Sequence, residues 1–348
     1  MQLSAGKYRG MRRLADGQGR FKMTAVDQRP PIKNLIRERR GTANAPWEDV
    51  AGFKELLIRE LQGESSAMLL DPHYAYPRGV TMLDASLGMI LTLEDSLFTE
   101  TPGGRLSAEI DDWSVEKIKR AGGDAVKVLT WYRPDADPAV CRAQQDFTAR
   151  VGDACRRYDL PFVFELLVYP LGRDAEQTRE YVEMKTKQPG LVLESVRAFA
   201  APRYGVDLFK LESPVPAGDL PAPGAPGSDD VQQLFDQLGQ AAGRPWVMLS
   251  AGAGMDEFRR VLHYAYRAGA SGYLAGRAIW LEAFKRFPDW SAIEAGLRGR
   301  AVPYMRELNA LTDAAATPWH LHPCYGEAGP RVLPVDASFR HAYPGFGA

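Results

Sequence analysis

The sequence predicts an α/β fold, a (β/α)8 barrel with a short N-terminal extension and an irregular C-terminal tail. Three observations predict it. Eight short β-type runs punctuate the chain, most of them apolar through the middle, as in parallel strands covered on both faces. Segments of helical spacing separate them. The 348 residues, 45% hydrophobic and 25% charged, suit one barrel with extensions, a doubly wound open sheet being the lesser alternative.

The runs are residues 21–28 (FKMTAVDQ), 66–72, 88–95, 125–132, 162–169, 208–215, 246–252 and 272–279. Apolar positions at helical spacing mark helices over 47–63, 141–160, 229–240 and 255–269. The segment 113–123 ends in glycines, a helix stop. Between the second and third runs there is room only for a short helix, around 79–86. The barrel then occupies residues 21–316, with 1–20 as the extension and 317–348 as the tail. A stretch rich in Pro, Gly and Ala, 217–229, follows the sixth run on the face where barrels keep their chemistry. Loop base rates favour a solvated linker there over a flap.

Charge narrows the function. Lysine and arginine number 43 against 44 acidic residues, a net charge of −1. That argues against nucleic-acid and membrane partners, while leaving room for a small anion in a pocket. The N-terminal segment MQLSAGKYRGMRRLADG has no signal-type apolar run, and no stretch approaches a spanning helix. A reducing cytoplasm is the expectation. Cys141, Cys155 and Cys324 cannot all pair and lack zinc-module spacing. His320 and His322 are too sparse for a metal site, so neither metal nor cofactor is expected.

In a barrel enzyme the chemistry sits at the C-terminal ends of the strands. Charges inside otherwise apolar strands are therefore informative, because burying them is costly unless they are paired or used. Lys127 lies within the fourth run, Glu165 within the fifth, and Lys210 and Glu212 within the sixth. Asp27, Gln28 and Arg29 close the first, Asp71 the second, and Glu94 and Asp95 the third. A buried lysine beside a second cation gives up its proton more readily. The free amine attacks a ketone, and the resulting protonated imine is an electron sink that lets the neighbouring carbon–carbon bond break without a metal. Glu165 is placed to move protons. Ser250 and Gly252 follow the seventh run, and Gly276 and Arg277 close the eighth, each before a helix start. Backbone N–H groups there, with an arginine, make an anion site, and barrels often bind phosphate in these two loops. His73, after Asp71, is a candidate for the mouth.

The motifs VDQRPPIK, LLDPHY, GGDAVKVLTWY, PFVFELLVYP, YGVDLFKLESPVP, MLSAGAG and AGRAIW resemble, in order and spacing, those of the tagatose 1,6-bisphosphate aldolases, class I enzymes with a (β/α)8 fold. The resemblance runs from about residue 20 to 319. It implies that Lys210 is the Schiff-base lysine, Lys127 a second active-site lysine that favours the free amine and helps hold an anionic substrate, and Glu165 the acid/base. It further implies that Asp27 and Gln28 contact the substrate, and that Ser250 and Arg277 bind a phosphate. The implied reaction is reversible cleavage of tagatose 1,6-bisphosphate to dihydroxyacetone phosphate and glyceraldehyde 3-phosphate, with no metal. Related sulfosugar-phosphate aldolases share much of the pattern, so 6-deoxy-6-sulfofructose 1-phosphate is an alternative substrate, with Arg29 and Arg78 as contacts for the far anion. A sugar-phosphate sensor on the same barrel is the non-catalytic alternative. The expanded 217–229 stretch, the long tail and a basic extension (Lys7, Arg9, Arg12, Arg13) depart from the family pattern. All are positioned by sequence to alter access to the site. The sequence does not fix the oligomeric state; barrel enzymes often form dimers, and a homo-oligomer with the tail as a candidate interface is one option.

Overall fold

The computed structural model describes residues 1–174, 183–332 and 336–345. Eight parallel strands close into a barrel: β1 (Phe21–Ala25), β2 (Ala67–Leu70), β3 (Gly88–Thr92), β4 (Ala125–Trp131), β5 (Phe162–Leu167), β6 (Leu208–Leu211), β7 (Trp246–Met248) and β8 (Gly272–Ala275). Each strand pairs with its chain neighbour, and β8 pairs with β1 through Gly272 opposite Phe21. Helices fill the intervals and cover the barrel. Among the described residues no helix is long and apolar enough to cross a membrane.

Alternation explains why the strands read as continuously apolar. Along β5, Phe162, Phe164 and Leu166 join the large core under the helices, whereas Val163 faces inward with residues of the other strands. Glu165 falls on that inward parity. By the same rule Ala125 and Leu129 flank Lys127, and Leu208 precedes Lys210. Both faces of most strand residues are buried, so a charge on the inner face stands out against its apolar neighbours.

The helix boundaries follow local chemistry. Pro138–Arg157 begins a turn earlier than periodicity suggests, because Asp137 caps it, accepting from the Ala139 N–H at 2.7 Å, with Pro138 in the first turn. Ser228–Ala242 is bracketed by left-handed Gly227 and Gly243. The short helix after β2 is Ala75–Gly79, not 79–86. Asp71 fixes its start by accepting from the His73 and Tyr74 N–H groups. Helices Pro30–Arg40 and Pro189–Phe199 have no counterpart in the sequence reading. Their opening prolines sit in the first turn, where no N–H is needed.

The extension and the tail correct the expectation that they alter access to the site. Residues Ala5–Leu14 form a helix, and Gln2–Leu3 pairs in parallel with Arg331–Val332 of the tail. Leu3, Met11, Leu14, Trp319 and Tyr325 pack with Phe21 and Met23, sealing the N-terminal end of the barrel. Two of the basic residues serve this docking: Lys7 reaches Asp207 at 2.6 Å, and Arg13 reaches Asp124 and the carbonyls of residues 85–87, while Arg9 and Arg12 are exposed. His322 lies here too, its Nδ1 accepting from the Cys324 N–H. Both segments therefore occupy the end opposite the strand C-termini. The 217–229 stretch makes one helical turn, Ala217–Asp219, and Pro221 accepts from the Tyr264 hydroxyl, so it leans on helix Met255–Arg267.

Candidate active site

Inside the C-terminal half of the barrel, five charged side chains from five strand ends meet. Lys127 Nζ lies 2.5 Å from Glu94 Oε1, 2.9 Å from Glu165 Oε2 and 3.1 Å from Asp27 Oδ2. Lys210 Nζ donates to the same Glu165 Oε2 at 2.9 Å. Register explains the meeting, since Glu165 stands directly opposite Lys210 across the β5–β6 pair. All five residues are buried. The two ammonium groups thus share one carboxylate oxygen, and three carboxylates surround them. Simple repulsion between two lysines is not the field here.

The carboxylates respond differently. Burial pushes Asp27 up, but Lys127, Lys210 and Lys54 outweigh it and hold its pKa down to about 2. Burial raises Glu94, and Lys127 only partly offsets this. Thr92 donates to the other oxygen of Glu94 at 2.6 Å. Glu94 was visible in the sequence only as a charge closing the third run; its role as a partner of Lys127 was missed. Lys54 was missed entirely. It lies wholly buried on helix Trp47–Leu61, ion-paired with Asp71 and donating to the Val26 carbonyl beside Asp27.

The loops after β7, β8 and β1 converge beside this cluster. Ala251 and Gly252 are both left-handed, φ 46° and 88°, and Ala253 N–H bonds back to the Ser250 carbonyl at 2.7 Å. A Cβ on Gly252 would lie 3.4 Å from Nη1 of Arg277, the buried first residue of helix Arg277–Phe284. A Cβ on Gly276 would collide with the Ala25 carbonyl at 2.6 Å and Gln28 Nε2 at 2.7 Å. Only glycine lets these loops approach so closely. The predicted anion residues Ser250, Gly252, Gly276 and Arg277 are therefore neighbours, and Gln28 joins them.

Arg29 links inside to outside. Its Nη2 donates to the Glu94 carbonyl at 2.9 Å, while Nε and Nη1 find no hydrogen-bond partner among the described residues. It borders a narrow inner space with Asp27, Gln28, Glu94 and Lys127, and an outer cavity of about 470 Å³ with Lys33, Arg37 and His73. Burial and then the Arg29 charge hold His73 below its usual range. Arg78 is not part of this mouth. It is spent on Glu48 and Glu55, at 2.6 and 3.1 Å, and stacks on Trp47. Lys33 and Arg37 replace it, one and two turns along helix Pro30–Arg40.

Comparisons with known proteins bear on the chain's family and fold. The sequence model described as DeoC/LacD family aldolase matches residues 22–282. The tagatose 1,6-diphosphate aldolase of Listeria monocytogenes serovar 1/2a is 33% identical over 328 residues, covering 92% of this chain and 95% of that protein. Among solved structures, a Schiff base forming fructose-1,6-bisphosphate aldolase aligns with TM-score 0.55 at 19% identity, covering 87% of this chain and 98% of that one. A fructose-bisphosphate aldolase from Plasmodium falciparum aligns with TM-score 0.66 at 14% identity, covering 91% and 98%. At those identities the two structures speak to the barrel fold.

Proposed function

The chain belongs to the DeoC/LacD family of aldolases, and on that premise we propose that it is a class I enzyme cleaving a ketose bisphosphate through an imine on Lys210. Tagatose 1,6-bisphosphate is the substrate to which the Listeria relative points. The observation that carries the reading is Glu165 Oε2, held 2.9 Å from both Lys210 and Lys127 inside a dry barrel.

The steps follow from that contact. Lys210 passes a proton to Glu165, and its free amine adds to C2 of the ketose. Glu165 returns a proton to the carbinolamine oxygen, water leaves, and a protonated imine forms. A carboxylate, Glu165 or Asp27, takes the C4 hydroxyl proton. The C3–C4 bond breaks, its electron pair moves into the imine as an enamine, and the aldehyde half departs. Protonation at C3 and hydrolysis by one water release the three-carbon ketone phosphate and regenerate Lys210. Asp27, held ionised, and Lys127 steady the charges that develop. Ser250, Arg277 and the N–H groups around Gly252 and Gly276 hold the phosphate of the C1 end; Gln28 and Arg29 contact the sugar and its far end.

The free guanidinium nitrogens of Arg29, with Lys33 and Arg37 beyond, favour a second anion on the aldehyde half. A sulfonate fits the same cations, so the sulfosugar reading is kept for that end alone, and turnover of the two substrates compared side by side separates them. The unpaired thiols of Cys141, Cys155 and Cys324 suit a reducing cytoplasm.

Borohydride trapping tests the reading. The protein is incubated with dihydroxyacetone phosphate, reduced and digested. A stable adduct on Lys210 is expected, and Lys210→Ala, checked for folding, should lose both adduct and turnover. A folded, ligand-binding protein that yields no adduct would overturn the imine mechanism and favour a sensor.

A further inference from the structure

A second set of buried charges lies outside the catalytic cluster. Lys187 is fully buried, and its Nζ reaches Glu183 Oε1 at 2.6 Å and Glu212 Oε2 at 2.9 Å. The remaining carboxylate oxygens are also used. Glu212 Oε1 accepts from the Val168 N–H at 2.7 Å, and Glu183 Oε2 accepts from the Ala217 N–H at 2.9 Å. The Glu183 N–H in turn donates to the Ala251 carbonyl at 3.1 Å. One ammonium thereby joins the segments that follow β5, β6 and β7, and Glu212 stands two residues past Lys210.

The last link is the informative one. Ala251 has φ 46°, a left-handed conformation that is unfavourable for alanine and persists only where its surroundings enforce it. It lies between Ser250 and Gly252. Buried ion pairs are a weak source of net stability, because desolvation consumes the attraction. What a fully satisfied buried set supplies is fixed geometry. Burial pushes the Lys187 pKa down, but Glu212 and Glu183 more than compensate, so the ammonium stays charged.

We propose that Glu183, Lys187 and Glu212 form a clamp that positions the Ser250–Gly252 turn to receive the substrate phosphate, with Lys187 as a positioning residue that touches no substrate. The proposal rests on the reading that this turn binds phosphate. It predicts a specific separation: loosening the clamp harms recognition of the phosphate and spares imine formation at Lys210.

The experiment compares borohydride trapping rates at subsaturating dihydroxyacetone phosphate and at dihydroxyacetone, which lacks the phosphate. Lys187→Met alone strands Glu212 as a buried charge, so Lys187→Met with Glu212→Gln is the main variant. Glu183→Gln, whose side chain is 15% exposed, is the second. The expected result is a loss of about ten- to hundredfold with the phosphate ester in the double variant, a smaller loss in Glu183→Gln, and a change within about threefold for dihydroxyacetone in both. If wild type prefers the phosphate ester and either the variants keep that preference or both rates fall together, the clamp proposal is overturned. If wild type shows no preference, the phosphate reading of the turn fails and takes the clamp with it.

Discussion

Glu165 accepts from two lysines through one oxygen, so the charge states of Lys210 and Lys127 are coupled through that shared carboxylate. Asp27 and Glu94 complete the balance with opposite behaviour, and this gives a pH signature. A carboxyl held down to about 2 in the folded protein, against about 3.9 unfolded, contributes stability that is full above pH about 4 and lost as pH falls toward 2. Glu94, raised by burial, works the other way: its contribution weakens as pH rises through the carboxylate range. Asp27→Asn removes the first effect and only trims the second, because burial is the main cause of the Glu94 shift and the Asp27 charge a lesser one. The fall in denaturant midpoint from pH 5 to pH 3 should therefore be smaller in the variant than in wild type; an equal fall would contradict the assignment. At this scale the sequence was legible where a charge interrupts an apolar strand, as at Lys127, Glu165 and Lys210. It was less so just past strand ends. Asp27 and Asp71 look alike in sequence, yet one faces Lys127 and the other pairs with Lys54 outside the lumen. That choice depends on backbone parity beyond the last paired residue. Lys187 carries no readable pattern, because Glu212 is distant in the chain and Glu183, four residues earlier, belongs to no helix that periodicity would reveal.

The elements divide the molecule into two ends with separate tasks. Helix Ala5–Leu14 and the tail close the N-terminal end, and the βα loops build the site at the other. Lys7 fastens the helix to Asp207, which also accepts from the Phe162 N–H at 2.9 Å. Lys7→Met strands a buried carboxylate and should cost about 3–5 kcal/mol of folding stability. Trapping kinetics of the folded variant should match wild type, because the pair lies away from the strand C-termini. A normal denaturation curve, or slowed trapping in folded protein, would count against this division. Helix Pro30–Arg40 teaches the complementary lesson about sequence reading. It was not among the helices that periodicity marked, and with it went Lys33 and Arg37, while Arg78, named as a contact for the far anion, faces Glu48 and Glu55.

For the whole molecule, the decisive event is closure of β8 onto β1. Gly272 has φ 147°, and a Cβ there would run into the Phe21 backbone. Gly272→Ala should cost about 3 kcal/mol or more, read as a lowered melting temperature or loss of soluble protein; an unaltered Tm would show that the seam yields. The barrel itself was legible because its strands are apolar on both faces and regularly spaced. Closure came with the count of eight strands, but the seam itself was not legible, since nothing in Phe21 or Gly272 advertises their pairing across the whole chain. In the proposed reaction the finished ring also parts the substrate's two ends. One phosphate would fall to turns beyond β7 and β8, whereas the outer cavity belongs to the helix behind β1, and the proposed bond-breaking groups stand between them. Changes at Lys33 or Arg37 reach neither Lys210 nor the Ser250 turn. Selection can thus exchange the aldehyde partner by altering one helix surface, and a lineage of such enzymes can diversify in diet while inheriting its chemistry intact.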